Sequence, residues 1–295
     1  MNARITPFVT AAPGRDEPGI SRHRKPVAAS VPHAQLEVSG VTHCGLIRVH
    51  NEDSWYADAS LGLALVADGV GGHMDGALAS RAAVDCIAEY LRRASAVRDR
   101  SSPASRPAAT DGSLRSIQEG VAARAVALAN RRLMAVNAST SDARQRRGTT
   151  IVGLWAPSGV DSLATVFHAG DSRMYLFRNG QIRPLTRDHS AHQQWVDTGK
   201  RGSPPPKSYI LQALGLSDVA PGITSIPVCA GDLFLLCSDG LSNLVEDQEL
   251  QNVLAAERDL EAANQRLVSL ALARGGTDNL TSVLCAFCAT GGRSQ

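Results

Sequence analysis

The chain has 295 residues, 43% of them hydrophobic, which is enough to bury one sizeable core or two small ones in a soluble globular protein. Its formal charge of +2 gives no reason to invoke nucleic acid or a membrane surface, and no membrane span is expected. Six cysteines without a framework spacing suggest a reducing, cytoplasmic setting.

Residues 1–33 mix Pro7, Pro13, Pro18, Pro26 and Pro32 with Arg4, Arg15, Arg22, Arg24 and Lys25, and are expected to be a disordered basic tail. The folded domain is placed at 34–290. Leu36, Val38 and Val41 introduce strand material, and Thr42 to Ile47 continues it towards a polar loop with Arg48, Asn51, Glu52 and Asp53. The run Leu63 to Ala67 is too short for a core helix and reads as a buried strand, with Asp68 where it stops. Gly69, Gly71 and Gly72 then allow a turn that brings a carboxylate and a backbone carbonyl close to an ion. An ordinary Asp-Gly turn is the alternative.

Ala77 to Arg92 has the apolar spacing of an amphipathic helix, residues 98–112 read as a flexible loop, and a second helix carries Leu114, Ile117, Val121, Ala125 and Leu128 on one stripe. From Thr149 the period changes. Thr150 to Ala156, Ser162 to Ala169 and Arg173 to Arg178 read as strands, and Asn179-Gly180 marks a hairpin into Gln181 to Leu185. His168 reads as a packed strand histidine. Residues 187–216 interrupt the sheet, with a short helix expected over His189 to Asp197. Strands at Ile223 to Val228, Leu233 to Cys237 and Leu280 to Phe287 enclose helices at Asp247 to Leu254, capped by Asp247, and at Leu260 to Arg274. Cys285 and Cys288 spell C-x-x-C, but residues three apart on a strand face opposite ways, so two buried thiols are expected.

Three further aspartates share the placement of Asp68: Asp171 precedes a strand, Asp239 follows one and Asp278 precedes one. Strand ends lie beside neighbouring strand starts in an antiparallel sheet, so the four can meet on one rim. Crowded carboxylates repel, and a divalent cation reverses that repulsion.

The segments RVHNEDS (48–54), VADGVGGH (66–73), RGTT (147–150), GDSR (170–173), LTRDHS (185–190), CSDGL (237–241) and GGTDNLT (275–281) together resemble the ordered motif set of the bacterial PP2C metal-dependent protein phosphatases. The resemblance spans Arg48 to Thr281. It implies an α+β fold, a four-layer αββα sandwich of two antiparallel sheets flanked by helices, with 187–216 as a flap beside the site. It also implies two Mn2+ or Mg2+ ions held by Asp68, the Gly69 carbonyl, Asp239 and Asp278, with Asp171 on a third. Glu52 and Asp53 would act on the metals through water, and Arg48 would grip the substrate phosphate with its guanidinium fork. The implied reaction is direct attack of water on phosphoserine or phosphothreonine in proteins, without a covalent phosphoenzyme. The implied partners are phosphorylated proteins, a Ser/Thr kinase and its substrates, acted on by a monomer. In one respect the chain departs from the pattern of eukaryotic members: Val70 stands where they carry a histidine proposed as general acid, and His73 lies three residues on. The competing class is a non-catalytic or single-partner phosphoprotein-binding regulator.

Overall fold

The computed structural model describes residues 21–23, 30–31, 34–70, 74–100, 111–139, 146–157 and 163–288. In chain order the first half holds β1 (Ser21–His23), β2 (Ser30–Val31), β3 (Ala34–His43), β4 (Ser54–Asp58), β5 (Leu63–Ala67), β6 (Gly69–Val70), α1 (Met74–Arg100) and α2 (Asp111–Ala138). Then come β7 (Gly148–Thr149), β8 (Ile151–Trp155), β9 (Leu163–Ala169), β10 (Arg173–Arg178), β11 (Gln181–Pro184) and α3 (Ala191–Asp197). The chain closes with β12 (Gly222–Pro227), β13 (Leu233–Cys237), α4 (Asp239–Ser242), α5 (Asp247–Ala256), α6 (Leu260–Ala273) and β14 (Leu280–Cys288).

The strands form two main antiparallel sheets. One runs β1-β3-β14-β13-β10-β11, with β2 also on β3, and the other runs β12-β9-β8-β5-β4; β6 and β7 pair separately. Runs such as LALVA in β5 are apolar at every position because both faces of their sheet are covered. Ala64 and Val66 face the seven-stranded sheet with Val152, Phe234, Leu236 and Val283, while Leu63 and Leu65 face Ile87, Leu91 and Val126 of α1 and α2. On β13 the same alternation sends Phe234 and Leu236 inward, and Leu235 and Cys237 outward against Leu250, Leu267 and Val268 of α5 and α6. The result is four layers, helices, sheet, sheet, helices. At one corner the sheets meet on bare backbone: a side-chain carbon on Gly40 of β3 would lie 2.7 Å from the Trp55 ring of β4.

Several boundaries differ from the sequence reading. Part of the expected tail forms β1 and β2, because the long edge of β3 offers backbone groups for them to pair with. The expected loop at 98–112 has helical ends, since α1 runs to Arg100 and α2 starts at Asp111; residues 101–110 lie outside the described residues. Strand β3 stops at His43, where the chain bends towards Arg48. The first cap of α5 is Glu246, not Asp247. Glu246 and Glu249 exchange side-chain and backbone bonds in a capping box. No described helix is long and apolar enough to cross a membrane.

Candidate active site

The aspartates gather where strands from both sheets end. Asp68 follows β5, and its peptide is locked from both sides: its N–H donates to Thr150 Oγ1 at 3.0 Å, and its carbonyl accepts from Thr150 N and Thr149 Oγ1, each at 2.8 Å. The Thr150 hydroxyl also shares a hydrogen bond of 2.7 Å with Ser172 Oγ, beside Asp171 at the crossover from β9 to β10. The threonines of RGTT and the serine of GDSR are therefore fasteners between two of the aspartates. Asp239 opens α4 and accepts from Asn243 Nδ2 at 3.0 Å. Asp278 precedes β14; Arg48 Nη2 donates to its Oδ2 at 2.8 Å, and Asn279 N to its Oδ1 at 2.9 Å.

A fifth carboxylate joins them. Asp53 is buried, with Oδ2 accepting from Ser238 Oγ at 2.7 Å and Thr281 Oγ1 at 2.6 Å, while Oδ1 has no hydrogen-bond partner. Burial pushes the Asp53 carboxyl up to about 7; the Thr281 and Ser238 hydroxyls oppose that rise, and Asp239 and Asp278 add to it. Asp171, also buried and with Oδ1 unpartnered, is raised to about 7 by burial, then by Asp239 and Asp188. Burial also raises Asp68, with Asp53, Asp239 and Asp171 adding repulsion, and raises Asp239, with Asp278 adding repulsion. Asp68 and Asp239 lie close enough for each to perturb the other. Mutual repulsion and two buried oxygens without donors are what hard divalent cations offset, so the oxygen donor set fits Mn2+ or Mg2+. Among the described residues no three His, Cys, Asp or Glu side chains close on one point as a finished cage. Asp278 is paired with Arg48 instead.

Sequence reasoning gave Asn279 no role, and the structure makes it the hub of the Arg48 loop. Its Nδ2 donates to the carbonyls of Cys44 and His50, both at 2.9 Å, and its Oδ1 accepts from Glu52 N at 2.8 Å. Arg48 is thus carried on a loop fastened at both ends by one buried amide. Glu52 has its carbonyl on Gly69 N at 3.2 Å, and a side-chain carbon on Gly69 would lie 2.4 Å from the Gly76 carbonyl. Only glycine fits at position 69.

Residues 48–285 match the family model for protein phosphatase 2C. The chain belongs to the protein phosphatase 2C family. It is 35% identical over 245 residues to the serine/threonine protein phosphatase PstP of Mycobacterium tuberculosis, a match covering 81% of this chain and 43% of that protein. The chain therefore spans less than half the length of that relative. It is 30% identical over 252 residues to a serine/threonine phosphatase stp of Listeria monocytogenes, covering 82% of this chain and 92% of that one. Among solved structures, the catalytic domain of PstP in complex with two manganese ions is similar with a TM-score of 0.67 and 30% identity, covering 87% of this chain and 99% of that one.

In this member of the family, residues 187–216 are tied down beside two of the aspartates. His189 N donates to the Gly170 carbonyl at 2.9 Å, Arg173 holds Asp188 through two bonds of 2.8 and 2.7 Å, and the His168 and His189 rings stack at 4.5 Å. His168 packs as the strand pattern implies, buried and with Nε2 on the Arg187 carbonyl at 2.8 Å. At the other end Leu214 and Thr149 exchange backbone bonds of 2.8 and 3.1 Å, and Asn130 and Asn137 of α2 bind the N–H and carbonyl of Gly215 at 2.7 Å each. Val70 lies in β6 against Gly148, where it has no proton to give. His73 lies outside the described residues.

Proposed function

We propose that the chain is a metal-dependent serine/threonine protein phosphatase acting on phosphorylated proteins, including those modified by a bacterial Ser/Thr kinase, with residues 34–290 as its phosphatase unit. The observation that carries this reading is the gathering of Asp53, Asp68, Asp171, Asp239 and Asp278, with Arg48 on Asp278 at 2.8 Å. Family membership and the two manganese ions of the PstP structure support it.

Asp68, the Gly69 carbonyl, Asp239 and Asp278 would hold two Mn2+ or Mg2+ ions, with Asp171 at a third and Glu52 and Asp53 contributing through water. When bound, such ions supply Lewis acidity that lowers the pKa of water and offsets charge on the phosphoryl group. The remaining work falls to the protein's own residues. Arg48 orients the phosphate, since its fork donates two parallel bonds to a tetrahedral dianion. Thr149 and Thr150 fix the Asp68 peptide, so its carboxylate needs little reorganisation when charge develops. Ser238 and Thr281 donate to one oxygen of Asp53, which leaves the other oxygen free to accept. Val70 in β6 has no proton to give, so the leaving alkoxide would take its proton from solvent at that position.

The test is turnover of p-nitrophenyl phosphate and of phosphothreonine peptides with added Mn2+ or Mg2+. Activity is expected only with the ion. Full activity after exhaustive chelation, with no metal detected, would overturn the reading.

A further inference from the structure

Asn51 stands between Arg48 and Asp53 in sequence, carries no charge, and holds Asp53 from two directions. Its Oδ1 accepts from Asp53 N at 3.1 Å, which turns its Nδ2 towards β3, where it donates to Thr42 Oγ1 at 2.8 Å. Thr42 lies directly opposite Thr281 in the pairing of β3 with β14, and their hydroxyl oxygens are 2.8 Å apart. Thr281 in turn donates to Asp53 Oδ2 at 2.6 Å. These contacts close a ring that leaves the Asp53 backbone and returns to its carboxylate.

The direction of every bond in the ring is settled by its ends. A backbone N–H can only donate, so Asn51 presents its oxygen to Asp53 and its amide nitrogen to Thr42. Thr42 Oγ1, having accepted that bond, sends its own hydrogen to Thr281, and Thr281 sends its hydrogen to the carboxylate. Ser238 is set in the same way. Thr281 N donates to its Oγ at 3.0 Å, and the hydroxyl hydrogen goes to Asp53 Oδ2 at 2.7 Å rather than to the Asn279 carbonyl at 3.5 Å. Oδ2 is thereby closed by both hydroxyls, while Oδ1 has no hydrogen-bond partner in a residue only 8% exposed.

A cross-strand threonine pair stabilises a sheet and needs no further role. This pair differs in where its chain of bonds ends, on a buried carboxylate with one oxygen saturated and the other bare. Resting on the phosphatase reading, we propose that Asn51 and Thr42 are positioning residues for the divalent-cation site, which fix the Asp53 side chain through Thr281 so that Oδ1 alone is left for a water held by the cation. Hydrogen bonds in a chain polarise one another, so losing an outer donor weakens the inner bond and loosens the carboxylate. Thr42 is separated from Asp53 by the Thr281 hydroxyl, so its effect reaches the cation only through that carboxylate.

The experiment uses the full chain and compares Thr42→Val, which keeps the shape and removes the hydroxyl, with Thr42→Ser, which keeps the hydroxyl. Calorimetric titration gives the Mn2+ affinity, melting of the metal-free protein reports the fold, and p-nitrophenyl phosphate turnover is measured alongside. Thr42→Val is expected to bind Mn2+ on the order of tenfold more weakly, with Thr42→Ser close to wild type. In an Asp53→Ala background the same Thr42→Val change should have no further effect on affinity. Wild-type affinity in Thr42→Val, equal loss in both Thr42 variants, or an undiminished effect in the Asp53→Ala background overturns the positioning role, whatever the metal-free melting shows. With p-nitrophenyl phosphate hydrolysed by the wild type, that failure leaves the phosphatase reading standing. A wild type that binds Mn2+ without turnover overturns the phosphatase reading, and the affinity comparison still decides the role of Thr42. A wild type that binds no Mn2+ overturns both.

Discussion

The two loops that border the carboxylates are held by opposite strategies. The Arg48 loop is short, and one buried amide, Asn279, binds both its ends and the peptide of Glu52. The 187–216 segment is long and, among the described residues, is fastened at its roots, by His189 on Gly170 at one end and by Leu214 on Thr149 and Gly215 on α2 at the other. Between the roots lie α3 and turns in which no residue of the helix is buried. On the proposed reading the contrast would separate two demands: a charge that meets a phosphate at a fixed distance is cross-braced, while a cover that accepts different proteins keeps few bonds to the body.

The largest test of this contrast lies between the loops, in the aspartates themselves. Asp239→Asn removes a carboxylate beside Asp68 and Asp278, so Mn2+ binding, metal-induced stabilisation and turnover should all be lost together. Asp171→Asn should keep most of the stabilisation, because Asp68, Asp239 and Asp278 remain, while turnover drops. Calorimetric titration with Mn2+ beside rate measurements distinguishes the two. Equal loss of the tight sites in both variants would remove the division into a central pair and an accessory ion.

Asn279→Ala comes next. It leaves two carbonyls and one N–H without their buried partner, at roughly 2–4 kcal/mol of stability. If the amide acts by placing Arg48, its effect on kcat/KM should largely disappear in an Arg48→Ala background, as a double-mutant cycle reports. Full additivity would make Asn279 a support of the fold alone.

Mn2+ at about 100 times its dissociation constant should stabilise the protein by about 2.7 kcal/mol, a rise in Tm of roughly 5–10 °C. Relief of repulsion among the raised carboxylates has the same sign. An unchanged melting curve at saturating Mn2+ would contradict a preformed site.

The smallest effect is confined to one root of the long segment. Burial, then the neighbouring His168 ring, pushes His189 down to about 4, with Asp188 opposing. A histidine whose folded pKa lies below its ordinary 6.5 binds its proton more readily when released, so the stabilisation is complete above pH 6.5 and is lost as pH falls towards 4. Amide exchange measured at pH 7.5 and pH 5, corrected for intrinsic rates, should show loss of protection around His189 and little change in the Arg48 loop. Equal loss in both loops would erase the distinction between them.

Much of this site was legible because its chemistry is local in sequence. Asp68 and Asp239 each follow an apolar run, and β10 and β13 begin and end where their patterns say. What escaped the sequence is long-range. Asn279 meets Cys44 and His50 across more than two hundred residues, and neither spacing nor polarity marks that contact. Strand β4, SWYAD, was missed because all five residues are only half-buried at a sheet edge, giving neither an alternating nor a continuous apolar run. Helix α1 runs past Arg92 because Glu89 pairs with Arg92 and Arg93 on an exposed face, where apolar periodicity carries no signal.

The contact between Gly40 and Trp55 has a mechanical meaning. Strand β3 leads directly into the Arg48 loop, and β4 leads directly away from Asp53, so the indole resting on bare backbone is a spacer one ring thick between the two halves of the site. A methyl group at position 40 would act as a wedge near the rim. Either the ring would have to turn aside or β3 and β4 would have to part, so the bare backbone at position 40 sets how closely the two strands pack.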